Sequence, residues 1–175
     1  ASLAYFTMQC LREIHGISEE GLTQGIAKAH WPCRMETVLP GVIIDGAHNE
    51  DGIEQFIRTA AHFAREREIT ILFSAVCDKK YEEMIRKISE GIRPARVVAT
   101  QIEGSREVPA EELAEDFRKA GCREVYAQAD PAQAFEQAYA MKGDGMLFCV
   151  GSLYLAGELK DHISKRAKEE KNAQL

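Results

Sequence analysis

The sequence has no long apolar run and no basic leader, and each absence excludes a class of protein. No stretch approaches the roughly 20 apolar residues that a bilayer-spanning helix needs, so the chain is not expected to be a membrane protein. Residues 1–6 lack a basic segment followed by a long apolar core, so we expect no secretory signal and a cytoplasmic location.

The sequence also has few cysteines, and none of them form a C-x-x-C pair. An odd count without paired spacing fits a disulfide framework poorly, so we expect reduced thiols that are mostly buried. The five cysteines are Cys10, Cys33, Cys77, Cys122 and Cys149.

Positive charge is in the minority, with 22 lysines and arginines against 28 aspartates and glutamates. The net charge of -6 repels a phosphate backbone, so nucleic acid is not an expected partner. A length of 175 residues with 45% hydrophobic and 29% charged residues is typical of one folded globular domain.

Short apolar runs alternate with segments of helical periodicity, which predicts β-α units. Because runs such as 146–150 are apolar at consecutive positions, they are typical of parallel strands covered on both faces. The expected fold is a Rossmann-like three-layer α/β domain with a mostly parallel sheet of about six strands, preceded by a helical segment. The predicted strands are 38–39, 42–44, 69–73, 96–99, 124–126 and 146–150, and the predicted helices are 3–14, 53–65, 81–92, 110–120, 131–141 and 153–168.

One loop, residues 45–50, follows a predicted strand and precedes a predicted helix, where ligands bind in open α/β sheets. Asp45 can accept hydrogen bonds from two ribose hydroxyls, or it can close an Asx-turn. Gly46 allows a sharp backbone turn. His48 can donate or accept beside an anion, although a structural role is the alternative. Asn49 suits the cap of the following helix.

Two motifs carry a family resemblance. The sequence reads W-P-C-R-M-E at 31–36 and D-G-A-H-N at 45–49. It strongly resembles the folylpolyglutamate synthase and dihydrofolate synthase family of the Mur ligase superfamily, whose usual form is W-P-G-R-x-E followed by D-G-A-H-N. Asp78-Lys79-Lys80 and Gly151-Ser152 match two further family segments, so the likeness covers the whole chain. Related murein ligases typically read D-Y-x-H in this loop, so the pentapeptide favours a folate substrate.

The resemblance implies a ligase that uses MgATP to join L-glutamate to a folate or dihydropteroate through an acyl phosphate. Arg34 would contact the ATP phosphates and act catalytically, a task that suits a planar, permanently charged fork. Asp45 would bind the ribose, His48 would act catalytically beside the nucleotide, and Asn49 would complete the nucleotide-binding loop. By spacing alone, an ion pair with Glu36 is the alternative for Arg34.

The resemblance also implies a site for the incoming glutamate. The aspartate would meet the ammonium group, and lysine and serine would meet carboxylates. A solvated charged loop at 78–80 and a helix cap at Ser152 are the alternatives, and Lys79 is preferred over Lys80. Arg106 and Tyr154 fall near the same rim, but no motif supports a role for them. The implied glutamate-binding residues are Asp78, Lys79, Lys80 and Ser152.

Cys33 is a departure from the family pattern, because it stands where the family usually has glycine. The backbone there must therefore tolerate a Cβ atom. A nucleophilic role for Cys33 is not expected, since the reaction needs no nucleophilic side chain and no histidine is adjacent in sequence.

The sequence contains no G-x-x-x-x-G-K-[ST] phosphate loop and no evident cluster of magnesium ligands. The resemblance assigns both to a preceding ATPase domain, which would be a partner of this chain. We therefore expect residues 1–30 to be the last helix and linker of that domain, residues 31–175 to be the glutamate ligase domain, and the isolated chain to be inactive. The alternatives are the carboxyl-terminal domain of a murein-type peptide ligase and a stand-alone Rossmann-type ligand-binding module.

Overall fold

The computed structural model describes the backbone of residues 2–172 and the side chains of residues 3–12 and 14–166. The chain divides into two compact units, Ala1–Pro32 and Cys33–Leu175. The first unit contains helices α1 (Ser2–His15) and α2 (Glu19–Lys28). Helix α2 begins after Ser18, whose hydroxyl accepts a hydrogen bond of 3.0 Å from the Gly21 amide and so satisfies one free helix donor.

The second unit alternates strands and helices as the sequence predicts. Its strands are β1 (Glu36–Leu39), β2 (Val42–Ile44), β3 (Ile69–Phe73), β4 (Arg96–Ala99), β5 (Glu124–Ala127) and β6 (Met146–Val150). Its helices are α3 (Glu50–Phe63), α4 (Tyr81–Ile92), α5 (Ala110–Lys119), α6 (Pro131–Met141) and α7 (Leu153–Asn172).

The six strands form one sheet in the order β1-β2-β6-β3-β4-β5. Strands β1 and β2 are an antiparallel hairpin that turns at Pro40-Gly41, where Gly41 adopts φ 73°, a conformation that favours glycine. The other neighbouring pairs are all parallel. The predicted α/β class and the mostly parallel sheet of about six strands are therefore confirmed.

Helices cover both faces of the sheet and give the three predicted layers. Helices α3, α4 and α5 pack on one face, and α6 and α7 pack on the other. Strand β6 contributes to the cores on both faces of the sheet. Phe148 and Val150 point towards α3, α4 and α5, while Leu147 and Cys149 point towards α6 and α7. This explains why the central strands are apolar at every position.

Side-chain caps fix where several helices begin. Asn49 caps α3 and Asp130 caps α6, each accepting a hydrogen bond of 2.8 Å from a free amide of the first turn. Helix α3 therefore starts at Glu50, three residues before the apolar periodicity that predicted it. Pro109 lies at the cap position of α5 and provides no side-chain cap. None of the described helices is both long and apolar enough to span a bilayer.

The prediction that the cysteines are mostly buried is wrong. All five are free thiols, but only Cys149, on central strand β6, is buried. Cys10 is exposed on the two-helix unit, Cys77 is exposed in the loop after β3, and the other two are half-buried. A cysteine is buried where its element lies in a core, and most of these lie on loops or outer helix faces.

Gly151, directly after β6, provides the first test of this architecture. Its φ is +107°, and a Cβ atom there would lie 2.6 Å from Phe73 Cε2 and closer still to the Ser74 carbonyl oxygen. We expect Gly151→Ala to lower the free energy of unfolding by about 2–4 kcal/mol, from strained backbone and a forced shift of β3.

Gly157 offers a matched control, because it lies in helix α7 and a Cβ atom would meet nothing within 4 Å. Gly157→Ala is expected to raise stability by up to about 1 kcal/mol. Urea unfolding of this chain measures both, and equal midpoints for the two variants would contradict the packing described for Gly151.

Candidate functional site

Three loops of the second unit meet at the carboxyl edge of the sheet. They follow the adjacent parallel strands β2, β6 and β3. Backbone hydrogen bonds continue past the strand ends: the Asp45 amide donates to Cys149 O at 2.9 Å, and the Gly151 amide donates to Ala47 O at 2.9 Å. The D-G-A-H-N loop and the Gly151-Ser152 loop are thus held side by side.

The Asp45 carboxylate is buried and bridges two loops. One oxygen accepts from the Ala47 amide at 2.9 Å, and the other accepts from the Met35 amide at 2.8 Å. The Asx-turn considered as the alternative is therefore present, and a second bond ties the D-G-A-H-N loop to the turn around Arg34. Each carboxylate oxygen can accept a further bond, so ribose binding by Asp45 stays a prediction.

The turn that carries Arg34 has an unusual backbone. Cys33 and Met35 on either side have φ values of 56° and 45°, in the left-handed region that L residues with a side chain rarely adopt. This gives a physical reason for the glycine that the family usually has at the position of Cys33. Burial raises the pKa of the Cys33 thiol, which disfavours the reactive thiolate.

A second carboxylate, that of Glu36, also holds the turn around Arg34 in place. Glu36 accepts from the Cys33 amide at 2.7 Å and pairs with Lys160 of α7 at 2.8 Å. The Arg34 side chain is exposed, and no ion pair or hydrogen bond of its guanidinium is found within residues 3–12 and 14–166. The alternative pairing of Arg34 with Glu36 is therefore not observed, and the cation is available to an anionic ligand.

Gly46 is required here for close packing and not for a left-handed turn. Its φ is not positive, but an added Cβ would lie 2.5 Å from Leu153 Cδ2 and 3.2 Å from the Cys33 carbonyl oxygen. Gly46 lies at the centre of the Asx-turn from Asp45 to Ala47, where the sequence predicts a turn. Because Gly46 has no side chain, the start of α7 and the Arg34 turn can both pack against its backbone.

His48 and Asn49 end the D-G-A-H-N loop. His48 Nδ1 lies 2.8 Å from the Gly46 carbonyl oxygen, which assigns the proton to Nδ1 and leaves Nε2 for another partner. Asn49 uses its side-chain oxygen to cap α3, so the predicted cap is confirmed. Catalysis by His48 and nucleotide binding by either residue stay predictions.

The two lysines after β3 differ in their surroundings. Lys80 pairs with Glu50 at 3.1 Å, whereas Lys79 has no side-chain partner in the described part of the chain. The Lys79 amide is fixed by a 3.1 Å bond to the Val76 carbonyl oxygen. This arrangement favours Lys79 over Lys80 as the cation that meets a substrate carboxylate.

Ser152 is almost fully buried at the start of α7. Its hydroxyl accepts from the Tyr154 amide at 3.1 Å, so the predicted cap is confirmed. The same hydroxyl still has a proton to donate, so contact with glutamate stays a prediction.

Asp78 pairs with Arg106, which in turn bonds Tyr154, and the sequence assigned no role to either of these two residues. Arg106 Nη1 lies 3.2 Å from Asp78 Oδ2, and Arg106 Nη2 donates to the Tyr154 hydroxyl at 2.6 Å. These residues come from the loops after β3 and β4 and from the start of α7. The only sequence signal was their position near the same rim.

A cleft of about 590 Å³ lies further along the carboxyl edge of the sheet, beside α6 and α7. Its lining includes Glu103, Asp130, Glu158 and Asp161, and burial together with Glu103 and Asp130 raises the pKa of Glu158. The negative charge disfavours a nucleotide or a dicarboxylate there. Within the described residues, no group of three or more His, Cys, Asp or Glu side chains is placed to hold a metal ion.

The Glu36–Lys160 pair can be tested by a pH-dependent stability difference. The two side chains are only 15% and 32% exposed, and Glu36 raises the pKa of Lys160 above its ordinary value of 10.5. We expect Lys160→Met to lower the free energy of unfolding by about 1–2 kcal/mol at pH 7, because the largely buried Glu36 carboxylate loses this half-buried partner.

The sign of the pH effect follows from the raised pKa. The stabilisation is complete below pH 10.5 and is lost as pH rises through the folded-state pKa of Lys160, so wild type and Lys160→Met should converge there. Lys165→Met, at an exposed position of α7, should be near neutral throughout. A difference that persists unchanged at alkaline pH would contradict an ionic origin.

Comparison with known proteins identifies the family of this chain. The sequence profile of the family described as "Mur ligase, glutamate ligase domain" matches residues 33–153. The dihydrofolate synthase/folylpolyglutamate synthase of Bacillus subtilis is 33% identical over 153 residues, which are 84% of this chain and 34% of that protein. The chain therefore spans about a third of the length of this relative.

Solved structures show the same fold. Escherichia coli FolC in complex with DHPP and ADP superposes with a TM-score of 0.77 at 23% identity, over 86% of this chain and 35% of that one. The bifunctional folylpolyglutamate synthase/dihydrofolate synthase of Yersinia pestis, complexed with AMPPNP and a Mn ion, gives 0.73 at 20% identity over 84% and 35%. With the profile match across most of the second unit, this chain belongs to the Mur ligase glutamate ligase domain family.

Proposed function

We propose that this chain is the carboxyl-terminal domain of an ATP-dependent ligase that joins L-glutamate to a folate or dihydropteroate. The observation that carries the proposal is the Asp45 carboxylate, which ties the D-G-A-H-N loop to the turn that presents Arg34, a cation with no side-chain partner among the described residues. The similarity to the Bacillus subtilis enzyme supports the choice of folate. Residues 1–30 would end the preceding ATPase domain, and residues 31–175 would form the glutamate ligase domain.

The proposed reaction has two steps. A carboxylate oxygen of the folate attacks the γ-phosphorus of ATP, the bond to the bridging oxygen breaks, and ADP leaves. The glutamate amine then attacks the acyl phosphate carbon, inorganic phosphate leaves, and the amine loses a proton to give the amide. Both steps depend on alignment of the reactants and on stabilisation of phosphoryl charge.

Arg34 would stabilise the phosphoryl charge in the first step. Its guanidinium is exposed, while the amides on either side of it are held by Glu36 and Asp45, so the turn has little freedom to move away. A fixed arginine at the developing charge lowers the barrier because it needs no reorganisation during the reaction. Asp45 and His48 Nε2 would complete the nucleotide wall.

The glutamate would lie between the loops after β3 and β6. Lys79 would meet one carboxylate, Ser152 would donate its hydroxyl proton, and the free oxygen of Asp78 would accept from the ammonium group. No metal ligand is assigned to this chain, and Mg²⁺ would be held with the ATP phosphates by the preceding ATPase domain. The isolated chain would then be inactive, and a cytoplasmic location remains a prediction.

Arg34→Ala in the full-length protein tests the nucleotide wall. We expect glutamate-dependent ADP release with dihydropteroate or tetrahydrofolate to fall about 100- to 1000-fold, as when one donor to a developing anion is removed. Arg86→Ala is the matched control, because Arg86 pairs only with Glu83 and Glu90 of its own helix among the described residues. Equal activity of Arg34→Ala and the control would contradict the assignment of Arg34 to the ATP phosphates.

The lysine pair after β3 gives a second test. Lys79→Ala should raise the KM for glutamate about 10- to 100-fold, through loss of a charge-assisted hydrogen bond, while the KM for ATP stays unchanged. Lys80→Ala should change either constant by less than about threefold, because an exposed ion pair contributes little. The opposite ranking of the two variants would refute the choice of Lys79.

A further inference from the structure

Arg106 is a cation that the sequence motifs leave without a role, although the structure places it at the proposed substrate rim. It lies in the loop after β4, and its carbonyl oxygen accepts from the Cys77 amide at 3.0 Å in the loop after β3. Val76 and Glu107 form a backbone bridge between the same loops. The backbone of Arg106 is therefore held against the segment that contains Asp78 and Lys79.

Its side chain is equally fixed. Asp78 accepts from Nη1 at 3.2 Å, the Tyr154 hydroxyl accepts from Nη2 at 2.6 Å, and the guanidinium lies 5.5 Å from the centre of the Tyr154 ring. A guanidinium has five N–H donors, so three remain after these two bonds. The side chain of Arg106 is 46% exposed, which leaves those donors accessible to a ligand.

Glutamate has two carboxylates, and among the described residues the 78–80 segment offers only one cation without a side-chain partner. Lys80 pairs with Glu50, and Lys79 is the lysine of this loop that has no side-chain partner within the described part of the chain. Arg106 supplies a second positive centre beside it. A cavity of about 170 Å³ opens next to Arg106, between its loop and Tyr154.

The position of Arg106 selects which carboxylate it meets. Strand β4 is separated from β2 by β6 and β3, so the end of β4 lies about 14 Å from the end of β2 at the usual strand spacing. The reacting amine and the α-carboxylate share one carbon atom and must lie near the nucleotide. Because Lys79 follows β3 and Arg106 follows β4, Arg106 is one strand further from the nucleotide loop and is suited to the side-chain carboxylate.

Two acidic residues also line the cavity, and they bear on selectivity. The Glu107 carboxylate accepts from Gln101 at 2.9 Å, while Glu103 adds a second negative charge to the lining. A carboxylate ligand is stable there only against a fixed cation, so the arginine decides whether an acidic side chain is accepted.

We infer that Arg106, oriented by Asp78 and Tyr154, is a specificity-determining residue that binds the γ-carboxylate of the incoming L-glutamate. The inference rests on the proposed function, because it assigns one end of the substrate of that ligase. Tyr154 and Asp78 act on it as positioning residues. A competing explanation is a purely structural clamp that ties the three loops together.

The test is steady-state ADP release by the full-length protein with L-glutamate or L-glutamine, which has the same shape without the γ charge. Arg106→Gln should raise the KM for glutamate about 10- to 100-fold, leave the KM for ATP unchanged, and reduce the preference for glutamate over glutamine by the same factor. Arg106→Lys keeps the charge but lacks the planar set of N–H donors, so its preference for glutamate over glutamine should lie between those of the wild type and Arg106→Gln. Arg86→Gln is the control.

Each outcome decides between the explanations. Loss of turnover with both amino acids at an unchanged ratio would identify a structural clamp and overturn the inference. Wild-type constants in Arg106→Gln would overturn the inference alone, since the ligase itself would be active. If Arg106→Gln fails to fold, an unchanged preference in Arg106→Lys overturns it instead. Absence of glutamate-dependent turnover in the wild type with every folate would overturn the proposed function.

Discussion

The buried Asp45 carboxylate is the contact on which the rest of this site depends. By accepting from Met35 and Ala47 it joins a turn that precedes the sheet to the loop that ends β2. The turn contains two residues in the left-handed region, each at a cost of about 1–2 kcal/mol. Such a backbone persists only where surrounding contacts enforce it, and Asp45 together with the Glu36–Lys160 pair provides them. Arg34 is exposed, but its backbone is fixed.

Several residues of the carboxyl edge combine a structural contact with a surface that a ligand can reach. Asn49 and Ser152 cap helices α3 and α7, and His48 binds back to its own loop through Nδ1. These contacts use one polar atom of His48 and of Asn49 and orient the other, and in Ser152 they leave the hydroxyl proton to donate. Such a site is organised before a ligand arrives, which lowers the entropy lost on binding.

The fold could be read largely from the sequence, because the central strands and amphipathic helices carry strong local patterns. The consecutive apolar runs at β3 and β6 reflect burial on both faces, and Pro40-Gly41 marks the hairpin. The start of α3 was given by the predicted Asn49 cap and not by the apolar periodicity, which begins three residues later. Cysteine burial was wrong because it depends on whether the surrounding segment is packed, and no local pattern shows this.

The sequence by itself determined the motif residues, the family to which they point, and the alternation that makes a parallel sheet. Those features are local, so they can be read along the chain. Only the tertiary structure decided that Lys80 forms an ion pair with Glu50, while Lys79 is left without a side-chain partner in the described chain. It also brought Arg106 to Asp78 and Tyr154, which are 28 and 48 positions away. Those contacts arise because β6, β3 and β4 are neighbours in the sheet, and strand order is set by packing of the whole domain.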